Sequence, residues 1–192
     1  MEVEGAEVRT LRPFGCEHGL LSRSDGSASF TQECCLTSRV FIKGVAEKSK
    51  EQLIRNTCEA TVLTTLHPRS SITVILQVIH DSGSLLSCCF NATCMALMDA
   101  GLPMKSVFCG ITCMIDSDRN ILLDPTSMME KDAAAVLTFS IDGTEKLLTV
   151  STKGSYSVEE LQQCVAISQK AAENIFRFYR DLVSRRYSKL SE

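Results

Sequence analysis

Residues 71–101 read SITVILQVIHDSGSLLSCCFNATCMALMDAG, and this stretch decides the fold. Its first nine residues are a β-branched run with Ile72, Val74, Leu76 and Val78 on one face and Ile75 and Ile79 on the other. Side chains alternate across a strand, so a run apolar on both faces apart from Gln77 predicts a strand covered, or nearly covered, on both sides. Asp81-Ser82-Gly83-Ser84 then makes a turn. Beyond it the period becomes helical from about Leu85 to Ala100, with Leu86, Cys89, Phe90, Thr93, Leu97 and Ala100 as the core stripe. Small residues at Ala92 and Ala96 allow close approach of a neighbour, Gly101 caps the helix, and Pro103 prevents its continuation.

Working outward, Leu53, Ile54, Thr57, Cys58, Thr61, Val62 and Leu66 recur at helical steps, which predicts a helix from Ala46 to Leu66 stopped by Pro68. Gly19 to Phe30 alternates around Asp25-Gly26, a hairpin signal. Downstream, Ser106 to Ile115 reads as a strand, Asp116 to Asn120 as a turn, and Ile121 to Asp124 as a short strand. A hairpin follows from Ala134–Ile141 and Lys146–Ser151, joined at Asp142-Gly143-Thr144. Ser157 and Glu160 form a capping box, and apolar positions from Leu161 to Val183 hold helical period behind it. The order is α+β, best built as helices packed on one side of a mixed sheet.

A chain of 192 residues supports one compact domain or at most two small ones. With 44% hydrophobic residues and a net charge of −3 it is neither a disordered chain nor a generally basic nucleic-acid coat, so any nucleic-acid contact must come from a local patch. The apolar stretch Leu85 to Met98 is too short to span a bilayer and carries Ser87, Asn91 and Thr93. Residues 1–8 form a loose lead-in whose Glu2, Glu4 and Glu7 are unlike a secretory signal. Of ten cysteines, Cys58, Cys88, Cys89, Cys94, Cys109, Cys113 and Cys164 fall in apolar-periodic segments, where thiols act as small hydrophobes in a reducing compartment. Only Cys109 and Cys113 approach zinc-knuckle spacing, and in a strand that spacing puts both on one face. No metal or other cofactor is expected.

Candidate carboxylates are Asp116, Asp118, Asp124, Glu130 and Asp132. Asp116 and Asp118 suit a tight turn, Asp124-Pro125 ends a strand, and Glu130-Lys131-Asp132 reads as a solvated loop. His18, His67 and His80 stand far apart, with no nucleophile arranged beside them, and no Walker or dinucleotide loop occurs. The Asp81–Ser84 turn, at a strand-to-helix junction, suits either an anion or simple helix capping. Near the C-terminus, Arg177, Arg180, Arg185, Arg186 and Lys189 face only Asp181, with Phe178, Tyr179 and Tyr187 interleaved. That end could touch RNA, or its cations could offset the helix dipole.

Three stretches carry a resemblance: LRPFGCEHGLLSRSDGSASF (residues 11–30), IRNTCEATVLTTLHPRSSITVILQVIHDSGSLLSCCFNATCMALMDAGLPM (54–104) and LLDPTSMMEK (122–131). They resemble the RNase PH family and, within it, ring subunits of the RNA exosome of the ribosomal-RNA-processing type. The similarity covers about residues 9–32 and 44–189. It implies an RNase PH-like (ribosomal protein S5 domain 2-like) fold with mixed sheets and helices packed on them. Residues 9–189 would form a single domain with an N-terminal part 9–103 and a C-terminal part 104–189. It further implies a ring of six such subunits threaded by RNA, in nucleus, nucleolus and cytoplasm. The implied partners are an RNase PH-like neighbour (exosome component 8 by analogy), cap subunits and RNA, with no membrane.

Active relatives attack the 3′-terminal phosphodiester with phosphate, using a Gly-Ser/Thr-Arg turn and an acidic pair that holds a divalent metal. Here the turn reads Gly83-Ser84-Leu85, and leucine cannot make the charge-assisted contact of a guanidinium. The acidic pair falls on Glu130 and Val136, and the basic run before the first long helix becomes Glu47-Lys48. The resemblance therefore implies a non-catalytic subunit with degenerate phosphate and metal sites, supporting 3′-to-5′ RNA processing. Arg69, Arg185 and Arg186 are the candidate RNA or subunit contacts. The alternative is a residual phosphorolytic or hydrolytic 3′ exoribonuclease using Asp124, Glu130 and Asp132. Between Gln32 and Gly44 the family has several strands, whereas this chain is short there by roughly thirty residues, the length of those strands and their turns. Leu36 to Ile42 can fill one strand position. The first sheet is expected to be incomplete, with an unpaired edge or a void near the first long helix.

Overall fold

The computed structural model describes residues 11–19, 22, 24–32, 35–37, 45–66 and 68–188. The elements are β1 Phe14–His18, β2 Ala28–Gln32, β3 Cys35–Thr37, α1 Val45–Thr61, a 3-10 turn Thr64–Leu66, β4 Val78–His80 and α2 Leu85–Asp99. They continue with β5 Phe108–Ile115, β6 Ile121–Leu123, α3 Ser127–Asp132, β7 Ala135–Asp142, β8 Leu147–Gly154 and α4 Val158–Ser188. The strands form two sheets, ordered β1-β2-β3-β4 and β6-β5-β7-β8. Every ladder among the described residues is antiparallel, so two antiparallel sheets replace the single mixed sheet read from the element order.

The reason lies in α2. Every residue from Leu86 to Met95 is buried, and a helix buried around its whole circumference can cover two layers at once. It packs on β2 and β3 of the first sheet and on β5 and β7 of the second. α4 lies across β5 and β7, and α1 packs on β8 and α2. At the closest approach of α2 to β5, Gly110 lies against Ser87 and Phe90. There Asn91 acts in place of a neighbouring strand: its Oδ1 accepts from the Gly110 amide at 2.8 Å and its Nδ2 donates to the Gly110 carbonyl at 3.2 Å. The Tyr179 hydroxyl of α4 donates to the same Oδ1 at 2.9 Å.

The reading of residues 71–79 is corrected. Only Val78–His80 is a strand, and Ile72, Val74, Ile75 and Ile79 are exposed, Ile75 by 60%. β4 pairs with β3 only at Leu36–His80 and Thr37–Val78, across an irregular register. Among the described residues β3 is three residues long and offers the apolar run no long ladder to join. Beside it a cleft of about 670 Å³ opens against α1, lined by Ile54, Cys58, Val62, Ile72, Val74 and Leu76 among others. Residues 38–42 of the expected strand lie outside the described residues.

α1 also ends earlier than its period suggests, at Thr61 rather than Leu66. Thr57 and Thr61 turn their hydroxyls back onto the Leu53 and Thr57 carbonyls. The chain then leaves the helix to pair elsewhere: Val62 bridges Met104, and the Lys105 amide donates to the Thr61 carbonyl. In the first hairpin the strands flank a longer connection closed by Gly19 and Ser27, so Asp25-Gly26 lies within the loop rather than forming a two-residue turn.

The later elements follow their local signals. The Ser157 amide donates to Glu160 Oε2 at 2.6 Å and the Glu160 amide to Ser157 Oγ at 3.2 Å, a reciprocal capping box. In the β7–β8 turn, Asp142 Oδ1 accepts from the Thr144 amide, the Thr144 hydroxyl and the Lys146 amide at 2.7–2.9 Å. Burial pushes the Asp142 carboxyl up, but the Thr144 hydroxyl, the two amides and the Lys146 charge outweigh it and hold the group below its ordinary 3.8. A carboxyl depressed on folding stabilises fully above its unfolded value, and that contribution fades as pH falls through the folded one. Urea midpoints measured from about pH 5 down to pH 2 should therefore fall more steeply in the wild type than in Asp142→Asn. Parallel acid limbs would contradict this role.

Candidate functional site

The turn from β4 into α2 requires two unusual conformations in succession. Gly83 has φ +103°, and Ser84 sits in the left-handed region at φ 55°. A Cβ on Gly83 would collide with the Pro125–Ser127 backbone, so the glycine lets two loops touch. Four hydrogen bonds organise the contact. The Gly83 amide donates to Asp81 Oδ1 at 3.0 Å, and the Ser84 amide donates to Glu130 Oε1 at 2.6 Å. The Ser84 hydroxyl donates to the Pro125 carbonyl at 3.0 Å, and the Ser127 amide to the Ser82 carbonyl at 2.8 Å. Ser84 is 2% exposed. Its side chain makes no cap to α2, so simple helix capping by that hydroxyl does not describe this turn. Leu85 is half-buried and packs against the core rather than presenting a polar group to the turn.

Glu130 lies on α3, where a charged loop was expected. Thr126 caps this six-residue helix by accepting from the Met129 amide. Val136 is half-buried in β7, opposite Met114 and Lys153. Of these two residues, Glu130 has one carboxylate oxygen engaged by a backbone amide and Val136 offers no side-chain donor atom. This donor set does not fit a divalent cation. Among the described residues no group of three or more His, Cys, Asp or Glu side chains is placed to hold a metal.

Asp124 has a different task. Its φ is 55°, it is 5% exposed, and its carboxylate accepts from Arg12 Nε at 2.8 Å, Arg12 Nη2 at 2.6 Å and Gln32 Nε2 at 2.7 Å. The Arg12 amide reaches the same carboxylate at 3.2 Å. This group ties the segment before β1, and the end of β2, to the second sheet. Asp132 is exposed at the end of α3, and Asp116 and Asp118 belong to the β5–β6 turn, where Asp116 accepts from the Ser117 amide at 2.8 Å.

Cys16, Cys58, Cys94 and Cys109 are poor nucleophiles, whereas a hydrogen bond with the Cys113 thiol holds Cys164 below its ordinary range. Burial, with the Asp99 and Glu17 charges, pushes Cys16 up to about 12; burial and Glu59 push Cys58 to about 11, and burial takes Cys94 to about 12. Cys109 and Cys113 are buried in β5, Cys109 well above its ordinary range. His80 is exposed, and His67 lies outside the described residues.

At the basic end, Arg177, Arg180 and Arg185 are exposed and form no ion pair among the described residues, while Arg69 occupies a turn with φ 66°. The side chains of Arg186 and Tyr187, and all of Lys189, lie outside the described residues. Of the interleaved aromatics, Phe178 and Tyr179 turn inward and offer no stacking platform for bases. Tyr179 is buried, and the Phe178 ring packs 5.6 Å from Phe14 and 6.2 Å from Phe30. A second cleft, about 700 Å³, lies along α4 and mixes Arg177 and Arg180 with Glu145 and Glu173. Neither cleft is lined by Ser84 or Glu130. Among the described residues no helix is long and apolar enough to cross a membrane. The contacts that sequence patterning missed are Arg12–Asp124–Gln32, Asn91–Gly110–Tyr179 and Ser84–Glu130, none of which leaves a periodic signature.

Two family models match: the 3′ exoribonuclease family, domain 1, over residues 42–103, and its domain 2 over residues 106–171. Together with the architecture, these matches show that the chain belongs to the RNase PH family. Within the family it is 29% identical to the exosome complex exonuclease RRP46 homolog of Arabidopsis thaliana, covering 94% of this chain and 95% of the relative. That alignment runs over 230 positions, more than the 192 residues here, so it must open gaps in this chain. The mouse exosome complex component RRP41 is 31% identical, with 96% and 91% coverage. The crystal structure of rice Rrp46 superposes with a TM-score of 0.86 at 27% identity, covering 95% of this chain and all of that one. An Archaeoglobus fulgidus exosome structure with RNA bound to its active site shares the fold at a TM-score of 0.75 and 14% identity.

Proposed function

We propose that the chain is a non-catalytic, structural subunit of an RNA exosome ring, supporting 3′-to-5′ RNA processing and decay. Its relatives named as exosome components, matched over nearly their whole length, support the ring assignment. The single observation that carries the loss of catalysis is Leu85. Where phosphorolysis needs a cation, a leucine packs into the core, and the neighbouring amide is taken by the protein's own carboxylate. Without that cation, nothing offsets the charge of an incoming phosphate or of the transition state.

The domain spans residues 9–189 and acts by presenting surface. Its partners are an RNase PH-like neighbour of the exosome component 8 type, the cap subunits and the threaded RNA, in nucleus, nucleolus and cytoplasm. Arg69, Arg185 and Arg186 supply cations for RNA or subunit contact. Purified protein incubated with RNA, phosphate and Mg²⁺ should release no nucleoside diphosphates, and clear release would defeat the reading. Co-purification with the other ring subunits tests assembly, and failure to join them would defeat the structural role. A hydrolytic site built on Asp124, Glu130 and Asp132 is disfavoured because two of the three carboxylates already hold the fold together.

A further inference from the structure

We propose that the two remnants of the family's reactive pocket have been joined into one internal latch, in which the Glu130 carboxylate is a built-in anion for the turn before α2. The inference rests on the disagreement between the acidic-pair positions and any metal, together with the reading of Leu85 above. A backbone amide at the start of a helix, held in a left-handed turn, is a donor suited to an anion. Here that donor is consumed: the Ser84 amide donates to Glu130 Oε1 at 2.6 Å, a short bond to a carboxylate oxygen. The Gly83 amide is likewise taken by Asp81.

Two further bonds run beside the carboxylate, from the Ser84 hydroxyl to Pro125 and from the Ser127 amide to Ser82. They close the loop between β6 and α3 over the loop between β4 and α2. The glycine at residue 83 is required because this closure leaves no room for a Cβ. Val136, at the second acidic position, leaves Glu130 without a second carboxylate with which to share a cation. Glu130 thus joins the first half of the chain to the second and fills the place of a ligand. The pocket is closed from within as well as lacking its arginine.

Two consequences separate this latch from a merely missing arginine. First, Glu130→Ala should lower the Tm by about 4 °C or more, because a buried-side amide loses a charged acceptor. Glu130→Gln, which retains an acceptor oxygen, should keep most of that stability. Second, restoring the cation alone should not restore anion binding. In Leu85→Arg, titration with inorganic phosphate should leave the Ser84 amide resonance unmoved. In Leu85→Arg/Glu130→Ala it should move that resonance saturably.

Phosphate binding by Leu85→Arg equal to that of the double variant would overturn the latch. So would no binding by the double variant, or a Tm unchanged in Glu130→Ala. If Glu130→Ala fails to fold, Leu85→Arg/Glu130→Gln carries the titration: its neutral amide oxygen is a weaker acceptor than an anion, so phosphate displaces it and must bind more tightly than to Leu85→Arg. Failure to co-purify with the other ring subunits would refute the proposed function and leave the latch standing. Phosphate binding by Leu85→Arg alone would do the reverse.

Discussion

Asp124→Ala should destabilise the protein by about 3–5 kcal/mol, the range for removing one partner of a buried ion pair. Three effects act together at this position. The carboxylate accepts two side-chain bonds from Arg12, whose side chain is only 11% exposed, so the substitution strips a shielded guanidinium of its bidentate counter-ion. It also takes the acceptor from Gln32 Nε2, which is buried, and Gln32 Oε1 already has no partner among the described residues. Finally, φ at residue 124 is 55°, a conformation that aspartate and asparagine tolerate better than alanine. Asp124→Asn keeps the shape and backbone preference while losing the charge, so it should fall between alanine and wild type. Urea unfolding of the three proteins measures the series. An alanine variant within about 1 kcal/mol of wild type would mean that the pair is ornamental, as exposed ion pairs often are.

Gly110→Ala should be nearly as damaging, for a steric reason. A Cβ at this position would stand 2.7 Å from the Ser87 carbonyl oxygen and 2.8 Å from Phe90 Cβ and Ser87 Cα. Two of these three atoms are backbone and cannot rotate away, so α2 must retreat from β5. Overpacking of this kind costs about 1–3 kcal/mol and at times more. Here the retreat also pulls Asn91 from both Gly110 backbone groups and strains its bond with Tyr179. Thermal unfolding should show a loss at the upper end of that range. A midpoint close to wild type would show that α2 is free to shift on the sheet.

Much of the fold was legible in the residues because its signals are local. Ser157 and Glu160 lie three positions apart and cap α4 as their types predict, and Gly101 ends α2 as a glycine should. The β7–β8 hairpin follows from alternation and an Asp-Gly turn. What escaped is non-local or short. Arg12 and Asp124 are 112 positions apart, and Ser84 and Glu130 are 46 apart, so no window of sequence contains either pair. α3 has six residues, too few for a helical period to show. Phe178 and Tyr179 misled in another way: a basic helix end with aromatics suits RNA, yet helical spacing turned both rings inward onto β1, β2 and α2. Residues 71–79 show the limit of periodicity, which states what a segment needs to bury and not whether a neighbour exists. Among the described residues, the only strand paired with that segment, β3, has three residues.

The position of α2 between the two sheets bears on how the polypeptide reaches its native state. The helix is encoded in the first half of the chain, yet one of its flanks is sealed only by strands synthesised later. A nascent chain that stops near Pro103 therefore carries a sticky, half-clad cylinder. Acquisition of structure must wait for contacts that are distant along the backbone, which makes folding slow and all-or-none. The two family segments are thus one cooperative unit, and severing the link between Leu102 and Lys105 would strand both pieces with greasy faces in water.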